Sequence, residues 1–443
     1  MAPPRASPVI PSRIRYAVLA VATANAFLLY LDRICMSAIV QSPAFQLEMA
    51  LDKAHIGDVL SSFFFAYALG QLPAGWLADR FGPRRMLVCY ILAWSFCTAT
   101  TGFTGGLISL VVVRAACGLS EAGAYPASSL LITRWFPYLQ RARANSVVAF
   151  GGRIGNALAL WLTTLAIVAL GSWRPVLWIY GLLGLALAFA THFVFRDFPA
   201  EHPQVNAAER DLIAAGAPPP GPPSPSSPWL ALLRHPGLWM LNVSSVGINV
   251  GLTFIVTWLP TYLKEVRGVD QLTATRYVSI ALLFSLCGML FGGWWCDFLT
   301  RRFGKKWGRR LPFVFGGSVA ILAFLSCPLL PGALSVAAAC GLVAFANDSI
   351  VPAIWALGQD IGGKHVAATV GWSNMWGNFG ASLVAKIIPT ILATTFHFND
   401  WREVFWLCAA GYAVSIGAAF FIDSTKQLSA APPPPHGSGT HTR

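Results

Sequence analysis

Six side chains that carry full charge at neutral pH stand inside stretches that are otherwise apolar. Asp32 and Arg33 are adjacent in L-L-Y-L-D-R-I-C-M-S, and Arg114 and Glu121 share R-A-A-C-G-L-S-E-A-G. Arg153 interrupts G-G-R-I-G, and Asp348 lies much further along the chain. A charge at the centre of a bilayer costs at least about 2.5–3.5 kcal/mol, so each needs a partner or a water-filled cavity. A guanidinium is a planar fork suited to a carboxylate. A carboxyl whose surroundings change can take up and release a proton. These residue types therefore point to anion binding by Arg33, Arg114 and Arg153, with proton coupling through Asp32 and Glu121. The plainer alternative is that the charges neutralise one another as structural glue. Adjacent residues on a helix point roughly 100° apart, so Asp32 and Arg33 are poor partners for each other.

The composition says which elements must position these groups. The chain has 443 residues, of which 56% are hydrophobic and 11% charged, against roughly 25% charged in a soluble protein. The apolar residues come in blocks close to the roughly 20 residues that a helix needs to cross a bilayer. Twelve blocks can be read, at 16–40, 55–78, 85–103, 107–133, 145–170, 175–195, 237–262, 274–297, 311–330, 333–356, 367–392 and 402–422. The fold class is all-α, a polytopic membrane protein. The first block follows Arg13 and Arg15 like a signal peptide, but it is too long and is followed by further blocks, so it reads as a retained helix. The net charge of +13 does not indicate nucleic acid, because the basic residues sit in short connections between apolar blocks.

Those basic residues orient the chain. Arg80, Arg84, Arg85, Arg134, Arg141, Arg143 and the run Arg301–Arg310 fall on the side of the N-terminus. The opposite loops carry Lys53, Arg174, Lys264, Arg267, Arg276 and Arg402. The positive-inside rule then puts both termini in the cytosol. At ~1.5 Å per residue, Asp32, Arg33 and Arg114 share a layer roughly 10–12 Å below the outer surface, with Glu121 ~10 Å deeper on the face of Arg114.

The chain also repeats itself. G-W-L-A-D-R-F-G-P-R-R (Gly75–Arg85) follows the second block, and G-W-W-C-D-F-L-T-R-R-F-G-K-K-W-G-R-R (Gly293–Arg310) follows the eighth. Two halves of six helices, each with this turn after its second helix, imply a duplicated transporter architecture. The first copy resembles the signature turn of the major facilitator superfamily, G-x-L-x-D-R-x-G-x-R-R, with Gly75, Leu77, Asp79, Arg80, Gly82, Arg84 and Arg85 in place.

A narrower resemblance is to the anion:cation symporter family, which includes hexuronate, aldonate and aldarate permeases. Y-L-D-R-I-C-M-S, G-D-V-L-S-S-F-F-F-A-Y-A-L-G-Q-L-P-A-G-W, R-A-A-C-G-L-S-E-A-G-A-Y-P-A, R-W-F-P and T-W-L-P-T-Y-L carry it. Arg153 departs from the small residue usual there, and Cys35 from a polar Asn. The resemblance implies that the Asp-Arg pair of the first helix and the Arg and Glu of the fourth serve coupling and anion binding.

Other polar residues complete the candidate site. Tyr30, Tyr67, Asn156, Trp372, Asn374 and Asn378 could recognise the hydroxyls of a sugar acid, although such groups also bond neighbouring helices. Asp79, with Arg80, Arg84 and the second-copy Asp297, is placed to hold an inner gate through the dipoles of helix ends. Nine cysteines show no C-x-x-C pair and no zinc spacing, so no metal or cofactor is expected. No hydrolytic motif and no phosphate loop is present, which excludes an enzyme and ATP-driven transport.

The domains expected are a cytosolic segment 1–15, a six-helix half 16–195, a Pro-rich linker 196–236, a second half 237–422 and a disordered tail 423–443. The reading is a secondary active transporter taking up a small organic anion such as a sugar acid with protons, by alternating access. It is expected to be monomeric in the lipid of the cell membrane. Two alternatives stay open: an antiporter or effluxer of another small solute, and a sensor of transporter fold that moves nothing.

Overall fold

The computed structural model describes residues 10–215, 228–394 and 401–428. The Pro-rich 216–227 and the tail from 429 lie outside the described residues. The twelve helices expected from the sequence are all present. Spans 1, 2 and 3 are Ile14–Ile39, Lys53–Phe81 and Pro83–Thr101. Span 4 is Leu107–Trp135, and spans 5 and 6 are Arg141–Leu170 and Arg174–Val194. Span 7 is Pro236–Glu265, and spans 8 and 9 are the two arms of Gln271–Ser326. Spans 10, 11 and 12 are Ala333–Gly362, Val366–Thr394 and Trp401–Phe421.

By length and composition, 8 helical stretches among the described residues are apolar enough to cross a membrane. Spans 2, 3 and 11 fall outside that set: Arg84 and Arg85 open span 3, and polar residues such as Gln71, Thr98 and Asn374 lie within the three helices. Gln71 and Thr98 are buried, so this polarity faces protein rather than lipid.

Prolines and glycines set the bends that matter. Pro126 lacks the N–H that the carbonyl of Ala122 would receive, and span 4 breaks directly after Glu121. Pro352 does the same to the carbonyl of Asp348 in span 10. The chain turns between spans 2 and 3 at Gly82, with φ +91°, and between spans 8 and 9 at Gly304, with φ +76°. Both glycines close an R-F-G tripeptide, and only glycine takes these angles without strain.

Each half packs its own core, and the halves meet at two equivalent crossings, span 2 against span 11 and span 8 against span 5. A Cβ on Gly75 would strike the carbonyl of Ala367, and one on Gly293 the side chain of Ser146. The repeated glycine thus permits the same close approach in both places.

The stretch expected as a Pro-rich linker, 196–236, has local structure among its described residues. Its first part is folded: a turn at Pro199–Glu201 and a helix at Ala207–Ala214 return to the start of span 1. There the buried Glu209 accepts hydrogen bonds from the amides of Ile14 (3.0 Å) and Arg15 (3.2 Å), from the Arg15 guanidinium (3.0 Å) and from the Ser12 hydroxyl. One acid thereby satisfies the open N–H groups of a helix start, an arrangement that composition does not reveal.

Candidate functional site

Span 1 brings Arg33 against span 4, where its guanidinium pairs with Glu121 at 3.1 Å. The pair is enclosed: the Arg33 side chain is 9% exposed and that of Glu121 is fully buried. The Arg33 guanidinium also lies 4.2 Å from the ring centre of Tyr67 and 4.9 Å from that of Tyr30, distances at which an aromatic face attracts a cation. Arg114 is buried on the same side, 4.5 Å from the ring of Phe63, with Nη1 3.9 Å from Cys117 Sγ. Asp32 is fully buried, and among the described residues neither carboxylate oxygen has a partner at full hydrogen-bond geometry, although the indole of Trp94 lies near enough to act on it. The charges acting on it are those of Glu121 and Arg114.

A second buried pair joins the halves. Arg153 of span 5 donates from Nη2 to Asp348 Oδ1 of span 10 at 3.0 Å. The Ser285 hydroxyl donates to the other oxygen, Asp348 Oδ2, Asn347 Nδ2 donates to the shared Oδ1 at 3.1 Å, and Asn347 is itself bonded by the Tyr412 hydroxyl at 2.9 Å. Arg153 lines a central cavity of about 90 Å³, together with Ser245 and Asn249 of span 7, Asn347 and Trp355 of span 10, and Asn374 of span 11.

The remaining candidates divide. Asn374 lines that cavity and reaches the Tyr67 hydroxyl of the other half at 3.5 Å. Asn378 bonds the carbonyl of Asn374 within its own helix at 2.8 Å. Trp372 packs edge-on against Trp239 and Trp376, away from the cavity lining. Asn156 is exposed and outside that lining as well.

Below the cavity, toward the end that carries the basic loops, the halves are bonded together repeatedly. Gln359 donates to Ser129 Oγ at 2.8 Å and to Asn145 Oδ1 at 3.2 Å. Tyr138 donates to Asp360 at 3.0 Å, and Arg309 pairs with both Asp360 (3.1 Å) and Asp297 (3.5 Å). The Asp79 carboxylate accepts from the amides of Ala367 and Ala368 at the start of span 11, both at 2.9 Å. Asp297 accepts from the amides of Ala142 and Arg143 at the start of span 5, at 3.3 and 2.9 Å. Each half therefore caps a helix of the other with the acid of its repeated motif.

Arg84 turns instead to its own half, holding the His192 carbonyl at 2.9 and 3.1 Å. Arg310 repeats that brace on Ile422. Arg80 rests on the rings of Trp76 and Phe81.

Several site residues carried no sequence signal of their own. Phe63, Tyr125 and Trp355 read as ordinary apolar or aromatic positions, and Ser285 as a small helix-packing residue. Asn347 could have been found as an uncharged polar residue in the apolar tenth block, by the argument used for span 11, whereas Gln359 lies just past the end of that block.

Residues 22–385 match the Major Facilitator Superfamily. The chain is 30% identical over 387 residues to the probable sulfoacetate transporter SauU of Cupriavidus necator, covering 85% of this chain and 86% of that protein. It is 30% identical over 375 residues to the probable galactarate/D-glucarate transporter GudP of Escherichia coli K12, covering 80% and 82%. It is 31% identical over 323 residues to the D-galactonate transporter of Escherichia coli O6:H1, covering 69% and 73%. Among solved structures it resembles the proton:xylose symporter XylE, with a TM-score of 0.68 at 16% identity over 94% of this chain and 98% of that one. It resembles the Escherichia coli fucose:proton symporter FucP with a TM-score of 0.70 at 14% identity, over 93% and 100%. At such identities the likeness to the solved structures is one of fold. With a duplicated twelve-helix fold and a family match that covers most of its length, this multi-pass membrane protein belongs to the Major Facilitator Superfamily.

Proposed function

We propose that this transporter takes up a small organic anion of the sugar-acid class together with protons, by alternating access between its two halves. The observation that carries the reading is the buried Arg33–Glu121 pair beside Asp32, whose carboxylate has no partner at full hydrogen-bond geometry among the described residues. While Glu121 is ionised, Arg33 is occupied. A proton on Glu121 neutralises its side of the pair and frees the Arg33 guanidinium for a substrate carboxylate. Asp32, one residue away, is the second proton acceptor, and Arg114 adds positive charge to the same layer. Anion binding and protonation then favour each other, as coupled uptake requires.

The bonds between the halves run from the basic end up to the level of Arg153, which fits an arrangement closed on that side and accessible from the other. The basic end is cytosolic, with both termini there and the chain in the cell membrane. Asp79 and Asp297 hold the inner gate closed. One copy encloses its own cavity, so a monomer suffices. The relatives named for galactarate, D-glucarate and D-galactonate support the sugar-acid class.

Proteoliposomes offered labelled D-glucarate or D-galactonate test the reading. Accumulation that rises when the outside is made acidic is expected. Absence of counterflow with every sugar acid would leave a sensor, and counterflow without acid stimulation would leave an effluxer or exchanger.

A further inference from the structure

Arg153 differs from the other two arginines within the spans, Arg33 and Arg114, in how it is held. Arg33 is locked beneath aromatic rings and Arg114 is 3% exposed, whereas the Arg153 side chain is 29% exposed and lines the cavity. Asp348 takes only one edge of its guanidinium, through Nη2. Asp348 is fully buried and fixed by Ser285 and Asn347 of its own half, so it aims Arg153 while the halves are together.

Arg153 also lies close to the first anion site. Gly152, its neighbour, lets the ring of Tyr30 and the hydroxyl of Tyr125 pack onto span 5; a Cβ there would come within 2.8 Å of Tyr30 Cδ2 and 2.5 Å of the Tyr125 hydroxyl. Tyr30 is the same ring that borders Arg33. Tyr30 thus stands against Arg33 and within electrostatic reach of Arg153, so one side chain borders both guanidiniums, as two sites for the ends of one short diacid require.

The charge count leads to the same place. Arg33, Arg114 and Arg153 face Asp32, Glu121 and Asp348 in one buried region. The other titratable groups nearby, Tyr30, Tyr67, Tyr125 and Cys117, are neutral in their ordinary forms. With all three acids ionised the region is balanced. Once Asp32 and Glu121 carry protons it holds two uncompensated positive charges, those of Arg33 and Arg114, while Arg153 stays balanced by Asp348 and keeps one edge of its guanidinium free. A buried charge left unpaired is strongly unfavourable, and a dianion balances both where a monoanion balances one.

We propose that Arg153, positioned by Asp348, is a second anion-binding group of the cavity, and that this transporter selects short dianions with acid groups at both ends over monoanions of the same length. This rests on the sugar-acid reading above and narrows it.

The test uses matched probes that differ by one carboxylate: D-glucarate against D-gluconate, and galactarate against D-galactonate, measured by binding to the purified full chain and by competition in proteoliposomes. The wild type should prefer each diacid by at least about tenfold, since a buried charge contact is lost with the monoacid. Arg153→Gln/Asp348→Asn removes both charges without leaving either unpaired, and should cut the ratio by at least about threefold by weakening the diacid. Arg153→Lys should restore part of the preference.

Equal binding of diacid and monoacid to the wild type overturns the proposal while leaving sugar-acid transport standing. An unchanged ratio in the double variant overturns it as well, by showing that Arg153 is only structural. If neither member of either pair binds, the sugar-acid reading falls and this proposal falls with it.

Discussion

Glu121 and Asp348 are two buried acids on equivalent helices, each shortly before an intrahelical proline and each paired with an arginine. Their partners differ in kind. Arg33 comes from span 1 of the same half, so the Glu121 pair travels with that half as a unit. Arg153 comes from span 5 of the other half, so the Asp348 pair is made or broken as the halves move. An acid that must change protonation during a cycle is best paired within a rigid body, where a proton rather than a motion decides its state. An acid that must sense whether the halves are together is best paired across the divide. The duplicated fold supplied the same position twice, and the two copies took partners from different halves.

The sharpest way to break this comparison is to remove each acid's charge. Glu121→Gln should abolish acid-driven accumulation while counterflow of preloaded substrate survives. Asp32→Asn should also abolish it. Asp348→Asn should lower total uptake yet keep the ratio of uptake with and without a proton gradient near that of the wild type. Loss of gradient dependence in Asp348→Asn would erase the distinction between the two acids.

The next effect is at the basic end, where the duplication kept its symmetry. Asp79 and Asp297 each cap a helix of the opposite half, but Asp297 also faces Arg309 at 3.5 Å. Removing a helix cap costs about 1 kcal/mol, up to about 2. Asp79→Ala should therefore speed hydrogen–deuterium exchange at the start of span 11 by roughly tenfold, and Asp297→Ala should speed it at the start of span 5 by more. Equal exchange in both variants and the wild type would mean that the caps do not hold the closed arrangement.

What was legible in the sequence follows from where information is local. The twelve spans were readable because bilayer thickness imposes length and apolarity on each segment independently. The charges of the site were readable because ionised residues in an apolar block are conspicuous wherever they pair. The pairing itself was not. Whether Glu121 meets Arg114, seven residues earlier on its own helix, or Arg33 depends on how spans 1 and 4 are rotated, and no residue spacing encodes that. The partnership of Arg153 with Asp348 depends on how two halves joined by a long linker come together. Arg84 shows the same limit: its place in the signature turn suggested a gate, and its rotamer braces spans 3 and 6 instead.

A third buried acid serves as the reference for both, and its expected effect is the smallest. Glu209 sits outside the spans, and all its bonds go to one helix start. Burial alone would push its carboxyl up, but the Ser12 hydroxyl, the amides of Arg15 and Ile14 and the Arg15 guanidinium outweigh that and hold it below the ordinary glutamate value. An acid lowered on folding stabilises the fold fully above its unfolded pKa, about 4.3, and loses that contribution as the pH falls through the lower folded value. Glu209→Gln should thus lower stability by about 1 kcal/mol at pH 7, read as a drop in apparent Tm. The gap from the wild type should narrow below about pH 4. Acid-driven accumulation should stay intact, because this acid faces no cavity and joins no moving parts. A gap that is constant from pH 7 to pH 4 would show that Glu209 contributes through shape rather than charge. A loss of proton coupling would show that buried acids outside the cavity also take part, and the contrast drawn between Glu121 and Asp348 would lose its reference.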